Sequence, residues 1–260
     1  MEKQIKAIRM DKFLSQTLNV TRTEAKKMLK QGRISKNEVV CKDGAEKVIP
    51  QTDVVCLDGT PIQYEQFHYL MLYKPAGCVT ATEDAHAKTV MDYIPAERRR
   101  NLSPVGRLDK DTEGLLLLTD DGALNHRLLA PGKHVDKTYF VRVEGKLTVE
   151  NIEKLENGVD IGEEKLTMPA RAEIVGGSWE GAGDSQPGRV RIENLPEVYT
   201  ELHLTIHEGK FHQVKRMMAA VGKPVIYLKR ISMGPLTLPD NLKKGECRPL
   251  TEEELLRLKG

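Results

Sequence analysis

The chain has 260 residues, a formal net charge of +2, 30% charged residues and only 5% aromatic residues. A chain of this length can bury a sizeable core and does not depend on disulfides or a metal to fold. No apolar run approaches the roughly 18 residues of a membrane-spanning helix, and the charged first residues do not fit a secretory signal. We therefore expect a cytoplasmic protein with no membrane contact.

Residues 1–60 are predicted to form a small separate domain. Asp11 begins a first helical pattern, and the Thr-x-x-Glu spacing of Thr21 and Glu24 is typical of a capping box at the start of a second helix. Gly32 follows the last turn of that helix, where glycine favours a helix end. Short strands are expected next, around Ile34, Val39–Val40 and Val54–Leu57.

The same domain carries a concentrated positive charge. From Lys3 to Lys36 there are ten basic and two acidic residues, a net charge of +8, which leaves −6 for the rest of the chain. A basic block at one end indicates a polyanionic partner, although a solvated helix face can carry similar charge. The cations expected to contact that partner are Lys12, Arg22, Lys26, Lys27, Lys30 and Arg33.

A polar connector is expected at 61–67, followed by a larger domain over 68–260. Strands are predicted at Tyr69–Tyr73, Leu115–Thr119, Thr138–Val143, Ala170–Val175, Val190–Asn194 and Glu201–Ile206. Helices are predicted at Ala123–Leu129, Val149–Glu156, His212–Val221 and from Thr251, and an exposed loop at Gly176–Gly188. Because strands and helices do not alternate regularly, we expect an α+β fold with a mainly antiparallel mixed sheet.

The loop before the strand Leu115–Thr119 concentrates acidic residues. Asp109, Asp111 and Glu113 lie close to Arg107 in sequence. One carboxylate on such a rigid scaffold can act catalytically, with Arg107 as its partner or as a phosphate clamp. A surface loop with turn-forming aspartates is the alternative, and composition alone favours it.

The motifs of the larger domain resemble one enzyme family. Gly106–Leu115 contains every residue of the Gly-Arg-Leu-Asp-x-Asp-Thr-x-Gly-Leu core typical of pseudouridine synthases of the RsuA type. Lys137–Tyr139 and Glu208–Met217 resemble the second and third motifs of that family, and Tyr69–Gly77 resembles the strand and turn that open its catalytic domain. The resemblance implies an isomerase that converts uridine in RNA to pseudouridine.

Residues 1–60 resemble an S4-type RNA-binding domain, through Asp11–Leu14, Thr21–Ala25 and Gly32–Ile34. One departure is Ser35-Lys36-Asn37-Glu38, which stands where that domain usually has a tight Asn-Gly turn. The resemblance makes RNA the expected polyanion for the basic face of this domain. It also makes 68–260 the pseudouridine synthase domain.

The family resemblance implies a role for each site residue. Asp109 is the implied catalytic aspartate, Lys215 the basic residue that pairs with it, and Tyr139 the aromatic residue that lies against the target base. Arg107 is expected to hold the place of the flipped nucleotide or its phosphate, and Arg216 to contact phosphate. The aspartate can act as a nucleophile on the ribose or the base, or as a base on the sugar, and the sequence leaves these routes open. An isomerisation implies no cofactor and no metal.

The expected partner is ribosomal RNA or a small-subunit assembly intermediate, bound by a monomer. His212 favours 16S rRNA, because the large-subunit branch of the family more often has arginine there. A 23S rRNA enzyme of the same family and a non-catalytic ribosome-assembly protein are the alternatives.

A metal-dependent nuclease that uses Asp109, Asp111, Asp120 and Asp121 is a further alternative. However, none of the four cysteines forms a Cys-x-x-Cys pair. In addition, His203 and His207 lie in or next to a predicted strand, which lacks the helical face of such sites. We therefore expect no metal site.

Overall fold

A computed structural model describes residues 7–130, 132, 134–178 and 196–260. The chain forms two compact units. Unit 1 comprises Met1–His68 together with Ile94–Leu102, and unit 2 comprises Tyr69–Tyr93 and Ser103–Gly260. The short segment Ile94–Leu102 therefore packs with the N-terminal residues, although it lies within the span expected for the larger domain. None of the helices in the described ranges is both long and apolar enough to cross a membrane.

Unit 1 packs two helices against short strands. Its elements are β1 (Ile8–Arg9), α1 (Met10–Thr17), α2 (Arg22–Lys30), β2 (Ile34–Lys36), β3 (Val39–Val40), β4 (Lys47–Val48), β5 (Val55–Leu57) and β6 (Thr60–Ile62). Four strands form an antiparallel sheet in the order β3-β2-β5-β6, and β1 pairs with β4. The core contains Met10, Phe13, Leu14, Ala25, Leu29, Ile34, Cys41, Val48 and Val55.

The helix and turn signals of unit 1 have clear structural counterparts. Thr21 and Glu24 form the predicted capping box, in which each side chain accepts a hydrogen bond from the backbone of the other residue. Asn37 and Glu38 join β2 to β3 with φ angles of 48° and 71°, so the two-residue turn forms without the usual glycine. The expected connector begins inside β6, and Tyr64 stacks on Phe13 with ring centroids 5.3 Å apart.

In the described residues, unit 2 is built on a nine-stranded sheet with four α-helices. Its strands are β7 (Tyr69–Lys74), β8 (Ser103–Pro104), β9 (Glu113–Thr119), β10 (Lys137–Glu144), β11 (Arg171–Ser178), β12 (Tyr199–Ile206), β13 (Val225–Met233), β14 (Leu236–Thr237) and β15 (Cys247–Pro249). Its helices are α3 (Gly122–Leu129), α4 (Val149–Asn157), α5 (Gln213–Ala220) and α6 (Glu252–Lys259).

The sheet runs in the order β11-β12-β10-β13-β9-β7-β15, with β14 beside β13 and β8 beside β9. Among the named strands of the described ranges, β9 and β13 form the one parallel pair. The α+β class and the mainly antiparallel mixed sheet are therefore confirmed.

One loop prediction is wrong at its beginning. The expected loop Gly176–Gly188 starts inside β11, which continues to Ser178. The strand remains paired with β12 across a bulge between Ile174 and Gly176. This pairing uses backbone N–H and C=O groups, which glycine has like other residues. The remainder of that loop and the strand expected at Val190–Asn194 lie outside the described residues.

Gly114 fixes the closest approach between β9 and β13. Its φ of +112° lies in the region that favours glycine, and a β-carbon there would lie 2.2 Å from the carbonyl oxygen of Arg230. Any other residue would force the two parallel strands apart. The glycine of the first motif thus holds the strand that follows the acidic loop against β13.

Candidate active site

The acidic loop between β8 and β9 is fastened at both ends. Val105 donates a backbone hydrogen bond to Leu117 of β9 at 2.8 Å. Thr80 and Leu108 exchange two bonds, in which the Thr80 hydroxyl donates to the Leu108 carbonyl at 2.7 Å and accepts from the Leu108 amide at 3.1 Å. The loop that carries Asp109 is therefore a rigid platform.

Lys74 lies beneath this loop and was not singled out by the sequence. Its side chain is fully buried at the end of β7, and Nζ donates to the carbonyls of Asp109 at 3.0 Å and Thr112 at 2.9 Å. Burial lowers the pKa of Lys74. A lysine in an apolar strand could have suggested such a role, but its carbonyl partners lie more than thirty positions later in the sequence.

The Asp109 carboxylate faces the start of α5. Nζ of Lys215 lies 3.3 Å from Oδ2, and Nε2 of His212 lies 3.5 Å from Oδ1. The Asp109 side chain retains 25% of its exposure, so the carboxylate is held in place but still accessible. The sequence predicted the partner Lys215, whereas the proximity of His212 was not predicted.

Lys215 also bonds a second carboxylate. Its Nζ lies 2.5 Å from Oδ1 of Asp111. Burial works against ionisation of Asp111, but the hydrogen bond and the charge of Lys215 outweigh it and lower the pKa of that carboxyl. One ammonium group therefore bridges two acids of the loop, Asp109 and Asp111.

The turn before α5 is fixed by its own side chains. His212 has a left-handed φ of 48°, and the Gln213 side chain accepts from the Lys210 amide at 2.9 Å and donates to Glu208 at 2.8 Å. Phe211 stacks on His212 with ring centroids 3.8 Å apart, yet Phe211 is 74% exposed. The exposed ring of Phe211 therefore stacks on His212, and His212 in turn contacts the Asp109 carboxylate.

Arg216 points away from the acid that Lys215 contacts. Its guanidinium donates to Glu163 at 2.8 Å, to the Phe211 carbonyl at 3.0 Å and to the Ile161 carbonyl. The two neighbouring basic residues thus have different partners, as consecutive positions on a helix require. The structure gives Arg216 protein partners where the sequence suggested phosphate.

Tyr139 lies on β10 and Arg107 in the acidic loop, and neither bonds the Asp109 carboxylate in the described residues. Tyr139 is 7% exposed and lies on β10 opposite Arg230 of β13. Arg107 is exposed and follows Gly106, whose φ is +74°. Across the described ranges, no hydrogen bond or ion pair joins either side chain to the Asp109 carboxylate.

The remaining acids of the motif region have structural partners. Glu113 accepts from the Tyr227 hydroxyl and from Lys244, each at 2.7 Å. Asp121 caps α3 through the Leu124 amide at 3.0 Å and accepts from the Tyr69 hydroxyl at 2.8 Å. No three His, Cys, Asp or Glu side chains converge as a metal site in the part of the chain that the structure describes.

The basic residues of unit 1 fall into two groups. Five exposed cations form no ion pair with any described residue, namely Lys12, Arg22, Lys26, Lys27 and Lys30. Arg33 differs, because its guanidinium is 2.5 Å from the carboxylate of Asp58. Most of the predicted contact residues are therefore free for an external anion, whereas Arg33 already has a protein counter-ion.

Comparison with known proteins shows the family to which the chain is related. A family model described as RNA pseudouridylate synthase matches residues 68–220, and one described as S4 domain matches residues 8–54. An uncharacterised RNA pseudouridine synthase of Bacillus subtilis is 45% identical over 249 residues, which cover 95% of this chain and 97% of that protein.

Two further relatives are each named ribosomal small subunit pseudouridine synthase A. The protein from Yersinia pestis is 42% identical and that from Escherichia coli K12 is 38% identical, each over 250 residues that cover 95% of this chain. The match covers 97% and 98% of those two proteins, respectively. A crystal structure of a pseudouridylate synthase aligns with a TM-score of 0.63 at 33% identity and covers 96% of this chain and 99% of that one. The chain therefore belongs to the RNA pseudouridylate synthase family and carries an S4 domain at its N-terminal end.

Proposed function

We propose that this enzyme converts a uridine of small-subunit, 16S ribosomal RNA to pseudouridine, with Asp109 as the catalytic residue. The observation that carries the proposal is the Asp109 carboxylate, which lies 3.3 Å from Lys215 on a loop held by the buried Lys74. Two relatives of nearly full coverage are named for the small ribosomal subunit, which favours 16S over 23S rRNA.

The reaction breaks the bond between uracil N1 and ribose C1′ and forms a bond from C5 to C1′. The proton lost from C5 is balanced by the proton gained at N1, so atoms and charge balance without a second substrate. Asp109 acts either as a nucleophile on the sugar or the base or as a base on the sugar. Lys215 and His212 orient the carboxylate, and Lys74 fixes the backbone that carries it.

The other site residues serve the base and its backbone. Tyr139 is proposed to lie against the extruded uracil, and Arg107, exposed and free of bonds to Asp109, to fill the place of the flipped nucleotide or hold its phosphate. Extrusion of a paired base costs a few kcal/mol. Phosphate contacts by Lys12, Arg22, Lys26, Lys27 and Lys30 offset that cost.

RNA binding and catalysis are assigned to the two expected domains. Residues 1–60 bind RNA, 61–67 connect, and 68–260 catalyse, with Ile94–Leu102 packed in unit 1. The substrate is ribosomal RNA, free or in a small-subunit assembly intermediate, and the protein acts as a monomer. Such a substrate implies the cytoplasm as the compartment of action.

A substrate comparison tests this function. Purified protein is incubated with 16S and 23S rRNA transcripts that carry tritium at uridine C5, and released tritium is measured. We expect release from the 16S transcript alone. Release from 23S rRNA only would reassign the substrate, and no release from either transcript, or from small-subunit particles, would reject the isomerase.

A non-catalytic binding protein is less well supported. A protein that only docks RNA has no need of a partly exposed carboxylate bridged to a lysine on a rigid loop. The nuclease alternative requires several acids to share one ion, whereas Asp121 bonds Tyr69 and Leu124. Asp109 and Asp111 are bridged by Lys215.

A further inference from the structure

We propose that Arg98 and Arg100 extend the RNA-binding face of unit 1 and contact the phosphate backbone beside the start of α2. The inference rests on the proposed function, since it assumes an RNA substrate. Its residues lie outside the stretch 8–54 that matches the S4 domain, and no expected site includes them. The segment is bounded in sequence by elements of unit 2, yet Ile94–Leu102 packs in unit 1.

The segment is firmly attached to its unit. Ile94 and Leu102, at the two ends of the segment, are only 1% and 4% exposed. The Asn19 side chain donates to the Glu97 carbonyl at 3.0 Å, and Nε of Arg99 donates to the Ile94 carbonyl at 2.7 Å. These contacts hold the backbone and leave the side chains of Arg98 and Arg100 exposed.

The attachment places positive charge near the start of α2. Glu24 caps that helix, and its pKa is lowered chiefly by hydrogen bonds from Thr21 and further by the charge of Arg100. The geometry agrees, because Asn19, which bonds the Glu97 carbonyl, lies two residues before Thr21, the N-cap of α2. The first turn of α2 also carries Arg22. The N-terminal end of a helix adds a partial positive charge to such a region.

The exposed cations of this region form no close ion pairs among the described residues. Within the described residues, no ion pair is formed by Arg98, Arg100, Arg22 or Lys26, and all four are exposed. By contrast, Arg33 and Lys36 of the same unit are paired with Asp58 and Glu46. Exposed and unpaired cations repel one another, and a phosphodiester backbone relieves that repulsion.

Arginine suits this partner because its planar guanidinium can bind phosphate through two parallel hydrogen bonds. Arg98 and Arg100 are two positions apart at the end of a short 3-10 turn, Ala96–Arg98. Because the backbone is anchored on both sides of them, little further ordering is needed when RNA binds. The surface is therefore suited to the RNA backbone and reads no base sequence.

A charge-removal experiment tests the surface in the full-length protein. Arg98→Gln and Arg100→Gln are combined, while Arg99 is kept because it holds the Ile94 carbonyl. Affinity for a 16S rRNA fragment is measured at several salt concentrations. If each arginine contacts one phosphate, the slope of log K against log salt should fall by about 1.5 to 2 units. In turnover assays the loss should appear as a higher KM.

Two matched variants decide the interpretation. Lys243→Gln removes an exposed charge from unit 2 that has no described ion pair, and it should leave the salt slope unchanged. Arg98→Lys with Arg100→Lys keeps the charge and should retain most of the slope. Equal slopes for wild type and the glutamine double variant would overturn the proposal, as would a lysine double variant that binds as weakly as the glutamine one.

Folding, RNA affinity and turnover are measured in separate experiments. Thermal melting verifies that each variant is folded, and the single variant Arg100→Gln, expected to remove about half of the slope change, replaces the double variant if that one unfolds. The salt slope is measured without turnover. A protein that makes no pseudouridine therefore refutes the proposed function, whereas an unchanged slope refutes this surface alone.

Discussion

Lys215 and Arg216 are adjacent cations with different surroundings. Lys215 lies between the carboxylates of Asp109 and Asp111, whereas Arg216 bonds Glu163 and two carbonyl groups. A shift of one position on a helix turns a side chain by about 100°. In the proposed mechanism, the chemistry at Asp109 therefore depends on Lys215, whereas Arg216 holds the segment around Glu163 in place.

Substitution separates these two roles. Lys215→Met should lower kcat by at least about 100-fold, the usual loss when one preorganised electrostatic partner is removed. Arg216→Met should mainly lower stability, because it leaves the Ile161 and Phe211 carbonyls without their donor. Single-turnover tritium release and denaturant unfolding are measured for both variants. Full activity in Lys215→Met with an inactive but folded Arg216→Met would reverse the assignment.

Some residues of the site could be predicted from the sequence and others could not. Asp109 and Lys215 lie in motifs whose resemblance to the family implies their pairing, and the structure brings them within 3.3 Å. The role of Lys74 depends on carbonyl groups from a distant loop, and side-chain type says nothing about those partners. The stack of Phe211 on His212 depends on the left-handed φ of His212, which sequence periodicity does not encode.

At the level of elements, α6 is fixed by one bidentate ion pair. Thr251 and Glu254 form a capping box, and Glu254 accepts two hydrogen bonds of 2.7 Å from the guanidinium of Arg248 in β15. These bonds lower the pKa of Glu254 to about 2 from an ordinary value of 4.5. Because the folded pKa is depressed, this contribution to stability is present above about pH 4.5 and is lost as the pH falls towards 2.

The variant Glu254→Gln tests that contribution. At pH 7 it should lower the free energy of unfolding by up to about 3 kcal/mol, the value that corresponds to a shift of roughly two units or more. The difference from wild type should shrink as the pH is lowered towards 2, since the wild-type carboxyl is then protonated too. Denaturant unfolding at pH 7, 4 and 3 measures it. A difference that stays constant with pH would show that the ion pair contributes nothing.

Element prediction succeeded where local signals act and failed where pairing is long-range. The capping box of α2 and the helix from Gln213 depend on neighbouring residues, and both form as expected. The extension of β11 to Ser178 depends on β12, which follows later in the chain, and glycines there hid the strand. The packing of Ile94–Leu102 in unit 1 is likewise a tertiary contact that no local pattern announces.

For the whole molecule, the basic face of unit 1 should supply most of the salt-dependent affinity. Lys26, Lys27 and Lys30 are exposed on α2 and have no described ion pair. Replacing all three by glutamine in the full-length chain should lower the slope of log K against log salt by roughly two to three units, if each contacts a phosphate. The full chain is preferable to removal of residues 1–60, because Ile94–Leu102 belongs to the same compact unit as those residues.

Binding of rRNA fragments by the triple variant is compared with wild type between low and physiological salt. Turnover at saturating RNA should persist, because the substitutions are far in sequence from the motif of Asp109. A slope equal to that of wild type would mean that the basic face is merely solvated. The catalytic unit would then have to hold the RNA alone.

Asp109→Asn gives the most direct test of the central claim. The substitution is nearly isosteric, so the loop held by Lys74 and the exposed cations of unit 1 remain in place. The carboxylate that we propose to perform the chemistry is lost. Tritium release from C5-labelled uridine in 16S rRNA is measured together with RNA affinity. We predict no detectable release and an almost unchanged affinity. Release at the wild-type rate would contradict the assignment of Asp109 and, with it, the mechanism proposed for this enzyme.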